Sequence, residues 1–312
     1  MKITFISLFA PNMQNTHLQH PEDSILMGDL SVLDWFTQPA NVSVKIDGAP
    51  AIVWGTDPAT KTFFVGTKAV FNKKKLRIAH SHDEIDLHYE GEVADILHAC
   101  FDCLPRTGCI FQGDFIGFGG DDTYTPNAIT YVFPDLVIQS IIVAPHTIYV
   151  AESDLRDAIG SCMLLTPKST KDVLFVQPEG WQEDDKFDDI VRFARQMSTT
   201  VEYAKTKTQA RKIEKVLNTF IKTGAVLDPE ALADVAECNL NLMRLWKLVK
   251  TIKEDRLTLC ATMGGPGAYL GKRFIGAEGY VLTNDYGSYK LVRREIFSRY
   301  NFKYGRFSVP VD

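Results

Sequence analysis

The sequence predicts an α+β fold whose sheets are mostly antiparallel, and three observations point there. Short segments rich in Val, Ile, Phe and Tyr, each bounded by Gly, Pro, Asn or Asp, recur at 42–54, 62–71, 109–118, 129–143, 146–151 and 173–177. That composition suits a pleated, half-buried surface. From Asp188 onward the apolar period changes: Ile190, Phe193, Ala194 and Met197 share one helical face, and Ile213, Val216, Leu217, Phe220 and Ile221 share another. Strand character then returns at 274–283 and 288–297, around the hairpin signal Asn284-Asp285-Tyr286-Gly287.

Taken in order, Met1 to Ala10 form a short apolar stretch, but Asn12, Gln14, Asn15 and His17 follow where a leader would need small residues. An ordered first strand is expected. Pro21-Glu22-Asp23 opens a helix over about 22–37, and a second helix over about 91–103 sets Val93, Ile96, Leu97 and Cys100 on one face. Gly224 stops the helix that carries Ile213 to Ile221. Asp228-Pro229-Glu230 supplies an N-cap and a proline in the first helical position, leading into Leu232, Val235, Leu242, Leu245, Val249 and Ile252. Residues 183–260 therefore read as a helical unit inserted into a β-rich domain made of 1–182 and 261–312.

A chain of 312 residues can bury a substantial core as one large domain or two smaller ones. Its 45% hydrophobic and 11% aromatic content argues against disorder. No apolar run approaches the roughly 20 residues that span a bilayer, so a soluble, cytoplasmic protein without a membrane partner is expected. Of six cysteines, Cys100-x-x-Cys103 has the spacing of a zinc or redox pair, but no second pair accompanies it, and reduced, buried thiols are the simpler reading. His80, His82, His88 and His98, set among Asp83, Glu84, Asp86, Glu90 and Glu92, read as a solvated loop entering a helix rather than a metal site.

The net charge of −5 hides an asymmetry, because residues 1–200 carry 15 Lys and Arg against 27 Asp and Glu, whereas 201–312 carry 19 against 12. A basic last third suits a phosphate-rich partner, and equally suits lysines solvated on helix surfaces. A second basic cluster, Lys68, Lys73, Lys74, Lys75 and Arg77, follows the apolar run Phe63-Phe64-Val65-Gly66.

One lysine stands in an unusual setting. Lys45 opens Val44-Lys45-Ile46-Asp47-Gly48-Ala49-Pro50-Ala51-Ile52-Val53-Trp54, between two strand-like stretches. An ammonium amid apolar neighbours is costly unless its pKa falls or a partner holds it, and an attacking amine needs that tension. Four further segments carry polar groups on expected strands: Val65-Gly66-Thr67-Lys68, Phe111-Gln112-Gly113-Asp114-Phe115, Ala277-Glu278-Gly279-Tyr280-Val281-Leu282 and Ser288-Tyr289-Lys290-Leu291-Val292. Tyr131-Val132-Phe133-Pro134-Asp135 adds an aromatic and a carboxylate. Singly, each reads as a turn or a surface charge. Their order along the chain is what argues for a site.

In that order the segments resemble the covalent nucleotidyltransferase superfamily of ATP-dependent polynucleotide ligases and mRNA capping enzymes. Lys45-Ile46-Asp47-Gly48 is similar to the nucleophile motif, and Lys68 stands where the family commonly has a ribose-contacting arginine. Asp114 stands where glutamate is more common, and Phe133 is similar to the ring that stacks on the nucleobase. Glu278-Gly279-Tyr280-Val281 resembles the E-G-hydrophobic-V motif and Lys290 the final lysine motif, whose second lysine is Val292 here.

The resemblance implies an adenylation domain of antiparallel sheets flanking a nucleotide pocket. It implies catalytic roles for Lys45, Asp47, Glu278 and Lys290, and nucleotide contacts from Val44, Lys45, Ile46, Gly48, Lys68, Asp114, Phe133 and Lys290. ATP and Mg²⁺ (or Mn²⁺) are the implied cofactors, with Glu278 and Asp114 as metal carboxylates. Lys45 would attack the α-phosphorus, release pyrophosphate and pass AMP to a 5′-phosphate end. About 20 residues follow Lys290, too few for the oligonucleotide-binding barrel of DNA ligases and capping enzymes, so RNA ends are favoured over DNA and phage-type RNA ligases are the nearest class.

The segment Leu18-Gln19-His20-Pro21-Glu22-Asp23 resembles, more faintly, ligase-like proteins of large tailed phages, which would make the compartment a host cytoplasm. Lys205, Lys207, Arg211, Lys212, Lys215, Lys247, Lys250 and Lys253 are expected to meet nucleic-acid phosphates. Two other readings stay open: transfer to an acceptor other than a polynucleotide, and a non-catalytic nucleotide- or nucleic-acid-binding relative. Neither the preference of ATP over GTP nor the oligomeric state has a sequence signature.

Overall fold

Strands and helices alternate irregularly along the chain, which is described by a computed structural model over residues 13–14, 18–163, 167–183 and 186–304. The strand expected in residues 1–10 lies outside them. Strand β1 (Met13–Gln14) and the short helices α1 (Pro21–Ser24) and α2 (Ser31–Phe36) precede β2 (Asn41–Lys45), β3 (Ala51–Thr56) and β4 (Phe63–Gly66). Helices α3 (His82–His88) and α4 (Glu92–Cys103) lead into β5 (Ile110–Phe118), β6 (Thr123–Tyr124), β7 (Ile129–Val132), β8 (Ile141–Val150), β9 (Ile159–Cys162), β10 (Val173–Phe175) and β11 (Glu179–Gln182). Then come α5 (Asp188–Ser198), α6 (Lys207–Thr223), α7 (Pro229–Ala236) and α8 (Leu240–Thr258). Strands β12 (Cys260–Met263), β13 (Gly267–Leu270), β14 (Arg273–Phe274), β15 (Gly279–Asn284) and β16 (Gly287–Val292) precede α9 (Arg294–Tyr304). The expected α+β class with antiparallel sheets is observed; among the described strand pairs, β8 with β10 is the parallel one.

The chain forms two compact units. The first comprises Met1–Thr16, Ile46–Pro178 and Gly264–Ala277; the second comprises His17–Lys45, Glu179–Met263 and Glu278–Asp312. The first unit holds a sheet in the order β1-β9-β8-β5-β3-β4, with β10 beside β8, and a smaller sheet β14-β13-β7-β6. Residues 52–54 are apolar without alternation because β3 is covered on both faces. Ile52 and Trp54 face α4 and its Ile96, Leu97 and Cys100, while Val53 faces Phe64, Val70, Tyr149 and Leu155.

The second unit is built on the sheet β12-β11-β2-β15-β16 and on helix α8. Helix α8 is buried on most of its circumference, through Leu242, Leu245, Trp246, Val249, Ile252, Lys253 and Arg256, as a central helix must be. Arg256 ends in α2's last turn, donating to the carbonyls of Trp35, Phe36 and Gln38 at 3.0, 3.3 and 3.0 Å with its guanidinium 4.5 Å from the Trp35 ring centroid. It supplies the donors that helix-end carbonyls lack.

Several expected boundaries are corrected by local chemistry. The helix expected over 22–37 is interrupted at Gly28, whose φ of 84° ends a 3-10 turn. The segment 42–54 is two strands separated by residues 46–50, and 62–71 is β4 followed by a 3-10 turn that Thr67 caps through Ala69 N–H. The segment 129–143 breaks after Val132, and residues beyond Val292 turn into α9 rather than extending the hairpin. The run from Pro229 to Ile252 is two helices, because Glu237 takes φ 52° and Asn239 caps α8 by accepting Leu242 N–H.

Candidate functional site in the second unit

The site grows from the register of three strands. Gly279 lies opposite both Lys45 on β2 and Val292 on β16, and Val281 opposite both Ser43 and Lys290. Directly opposed residues in antiparallel strands share a face, so Lys45 and Lys290 project from the same face of the sheet. The glycine between them is required: a Cβ at Gly279 would stand 2.2 Å from the Leu291 carbonyl oxygen and 2.8 Å from Val292 Cγ2. Val44 and Tyr280 anchor the row from below as buried neighbours.

Lys45 Nζ donates to Glu278 Oε2 at 2.5 Å, with side-chain exposures of 24% and 11%. The half-buried lysine therefore has its partner, and that partner is the glutamate of the Glu278-Gly279-Tyr280-Val281 segment. Lys290 adds a second cation: burial first, then the charges of Lys45 and Arg294, push its pKa below the ordinary lysine value. Its backbone N–H donates to Gln19 O at 3.1 Å, so the segment before α1 lies along the free edge of β16.

That segment carries the residues that sequence reasoning missed. Glu22, with no side-chain exposure, accepts from Lys253 Nζ at 2.7 Å and Arg294 Nη1 at 3.0 Å. Asp23 accepts from the same Arg294 nitrogen at 3.0 Å and from Trp246 Nε1 at 3.1 Å, and Arg294 Nη2 donates to Asn218 at 2.8 Å. Burial opposes the charge on Glu22, but Lys253, with Arg294 behind it, holds the carboxyl well below the usual range. The sequence marked Glu22 and Asp23 only as the opening of a helix.

Lys253 and Lys250 are thereby removed from any phosphate-contacting surface. Lys253 is fully buried on Glu22, and Lys250, nearly as buried, pairs with Glu254 and with Glu295 at 2.6 Å. Of the expected basic set, Lys205, Lys207, Arg211, Lys212, Lys215 and Lys247 are exposed, and Lys212 is paired with Glu237 at 2.5 Å. Lys207, Arg211 and Lys215, joined by Lys222, run along one stripe of α6.

The first unit holds the remaining expected residues. Ile46 is buried. Asp47 N–H donates to the Tyr131 hydroxyl at 2.8 Å, that hydroxyl donates to Asp47 O at 3.1 Å, and Asn127 Nδ2 donates to the Asp47 carboxylate at 2.8 Å. Gly48 passes so close to β5 that a Cβ would stand 2.3 Å from Phe115 O. The glycine of the Lys45-Ile46-Asp47-Gly48 segment thus serves a close backbone approach. Asp114, on β5 opposite Ala51, has a side chain 14% exposed and 3.9 Å from His146 Nε2. Phe133 is buried edge-on to Tyr124, at a centroid separation of 5.6 Å, and Lys68 is exposed at the start of its 3-10 turn.

Cys100 is a fully buried thiol raised by burial, and the other five cysteines are partly exposed rather than buried as expected. His82 and His98 stack, with their Nδ1 atoms 2.7 Å apart, and lean on Asp102 and Asp86. Among the described residues no group of three or more His, Cys, Asp or Glu is arranged to hold a metal, and no helix is long and apolar enough to cross a membrane.

Residues 15–234 and 228–306 match a family of unknown function (DUF6267), and the chain belongs to that family. No curated protein and no solved structure matches it.

Proposed function

We propose that the chain is a covalent nucleotidyltransferase of the polynucleotide-ligase type, with Lys45 as nucleophile and ATP as nucleotide donor. The observation that carries this reading is the meeting of Lys45 and Glu278, 233 residues apart in sequence, on the sheet face that also bears Lys290. A lysine, an acid and a second lysine on one face are what the transfer needs. Two cations suit an α-phosphate that gains charge at the transition state, and one acid suits a divalent cation.

The Lys45–Glu278 pair describes a resting state, because an amine bound to a carboxylate is an ammonium and has no lone pair. Attack requires Lys45 to lose that proton, and Lys290 nearby favours the loss. The Lys45 nitrogen then bonds to the α-phosphorus while the bond to the bridging oxygen breaks, and pyrophosphate leaves with the electron pair. In the second step an oxygen of a 5′-phosphate end attacks the same phosphorus, and the amine leaves and regains a proton. Glu278 would hold Mg²⁺ in this unit, and the ion would supply charge neutralisation for the phosphate oxygens. RNA ends are the preferred acceptor in this reading.

Incubation with α-labelled ATP and Mg²⁺, followed by denaturation, tests it. Wild type should carry label, Lys45→Ala none, and chase with 5′-phosphorylated RNA or nicked DNA should remove it. An unlabelled wild type, or equal labelling of Lys45→Ala, overturns the reading.

A further inference from the structure

An irregularity in the large sheet of the first unit turns a histidine toward Asp114. Gln112 and Gly113 are adjacent on β5, but their partners on β8 are Thr147 and Pro145, so His146 is an extra residue in the ladder. Such a bulge sets two residues against one and re-aims a side chain. Strict alternation would send His146 and Thr147 to opposite faces. Instead Thr147 lies opposite Gln112, and His146 joins that face through Nε2, 3.4 Å from Gln112 Nε2 and 3.9 Å from Asp114 Oδ1. The face is core at Val53, Ile110 and Tyr149, seals Gln112 at 2% exposure, and opens at Asp114 and His146, whose side chains are 14% and 40% exposed.

A chain of hydrogen bonds assigns the hydrogen of the imidazole. Tyr149, whose phenol is pushed up by burial and so stays protonated, donates to Gln112 Oε1 at 2.7 Å. The Gln112 amide therefore turns its N–H toward His146 Nε2, and His146 Nδ1–H donates to Thr147 Oγ1 at 2.7 Å. The Nε2 lone pair of His146 and a carboxylate oxygen of Asp114 are left side by side: two acceptors, both reached by solvent.

Their spacing selects what they take. Neither group donates, so a phosphate oxygen gains nothing there and is repelled by the carboxylate. At 3.9 Å the two are too far apart to bond each other. They are also too far apart for adjacent ligands of one metal ion, which at about 2.1 Å from the metal stand roughly 3.0–3.4 Å from one another. An amino group splays its two N–H bonds by about 120° and needs acceptors about 5 Å apart. Two neighbouring hydroxyls, with one hydrogen each, serve one acceptor apiece. We propose that His146 and Asp114 are the ribose-contacting pair of the first unit, His146 Nε2 accepting from one vicinal hydroxyl of the nucleotide's sugar and Asp114 from the other. The proposal rests on the nucleotidyltransferase reading for the identity of the ligand, and it adds a histidine outside the segments that suggested that reading. Thr147 is a positioning residue, acting through the tautomer of His146.

Calorimetric titration of the full chain with ATP and with 2′,3′-dideoxy-ATP, both without divalent metal so that no transfer occurs, tests the pair. Wild type should bind ATP at least about tenfold tighter, the scale of two hydrogen bonds of which one goes to a charged group. His146→Leu should lose about threefold or more of that preference while its affinity for dideoxy-ATP stays at the wild-type value. His146→Gln, which keeps an acceptor at similar reach, should retain most of the preference. Thr147→Val should lower the preference with dideoxy-ATP binding again unchanged, a result that a merely structural role would not produce. Equal binding of the two nucleotides by wild type, an unchanged preference in His146→Leu, equal losses for both nucleotides in that variant, or a wild type that binds neither would each overturn the proposal. Labelling by α-labelled ATP with Mg²⁺ separates the two readings. A chain that discriminates through His146 but takes no label retains the contact and loses the transfer reaction; a chain that labels, yet binds dideoxy-ATP as well as ATP, does the reverse.

Discussion

The Lys45 ammonium and the Glu278 carboxylate meet at 2.5 Å across neighbouring strands. The pair accounts for a lysine in an apolar setting, since a partly buried cation is tolerated when a carboxylate faces it. It also bears on the resting chemistry of the candidate nucleophile, because an amine that faces a carboxylate is held as an ammonium.

Replacing Glu278 by Gln should therefore have opposite effects on two reactions. Without the carboxylate, Lys45 releases its proton more easily, and competitive acetylation read by mass spectrometry should find it more reactive relative to the exposed lysines. Transfer from ATP should fall by about 100-fold or more, the scale of losing one preorganised electrostatic group. A parallel rise or fall in both would remove Glu278 from the proposed role.

The buried Glu22–Lys253 pair should be costly to break from one side. Lys253→Met leaves a carboxylate with no exposure against Arg294 alone, and should destabilise the second unit by about 3 kcal/mol. Adding Glu22→Gln removes the uncompensated charge and should restore most of the loss. Urea denaturation followed by tryptophan fluorescence, to which Trp35, Trp181 and Trp246 of this unit contribute, gives both values. A single variant as stable as wild type would mean that Arg294 suffices.

Stability should fall in acid in a way assigned to His20. Its folded pKa of about 2 lies below the ordinary imidazole value of 6.5, so below pH 6.5 the unfolded chain takes up a proton that the folded chain refuses. Stability falls as pH falls through that window, by about 1.4 kcal/mol per pH unit once the pH is well below 6.5. Glu22 adds a loss of the same sign below its ordinary carboxylate range, because its folded pKa is depressed. Urea midpoints of wild type and His20→Gln between pH 7 and 5 should diverge, with the variant flatter; parallel curves would contradict the neutral ring.

Nucleic-acid binding, if it uses α6, should follow the exposed stripe alone. Neutralising Lys207, Arg211 and Lys215 to Gln should reduce the slope of log K against log salt by about 0.7 per lost single-strand phosphate contact. Neutralising Lys247, on a different helix, is the comparison. An unchanged slope in the triple variant removes α6 from the interface.

Much of the secondary structure was legible because it is set by neighbours in sequence. The Gly224 stop of α6, the Asp228-Pro229 start of α7 and the turn between β15 and β16 were each encoded within a few residues, whereas α5 buries Val191 and Ala194 and leaves Phe193, expected on its apolar face, exposed. The misplaced boundaries share a cause. Gly28, Glu237 and Asn239 divide runs whose apolar period continues across the break, and such breaks follow from single backbone conformations and caps that periodicity does not register.

By itself, the sequence determined the α+β class of the fold and singled out Lys45, Glu278 and Lys290 as candidates, whose residue types stand in local segments of recognisable order. Only the tertiary structure decided which groups meet. It opposed Gly279 to Lys45 and so gave the lysine its glutamate. It buried Lys250 and Lys253, which composition counted as surface charge, and it drew the segment of His20 and Glu22, to which the residues alone assigned no role in a site, to the edge of β16. The physical reason is the range of the forces involved. Helix period, caps and turns act over a few residues, whereas ion pairing and desolvation depend on proximity in space between residues more than 200 positions apart.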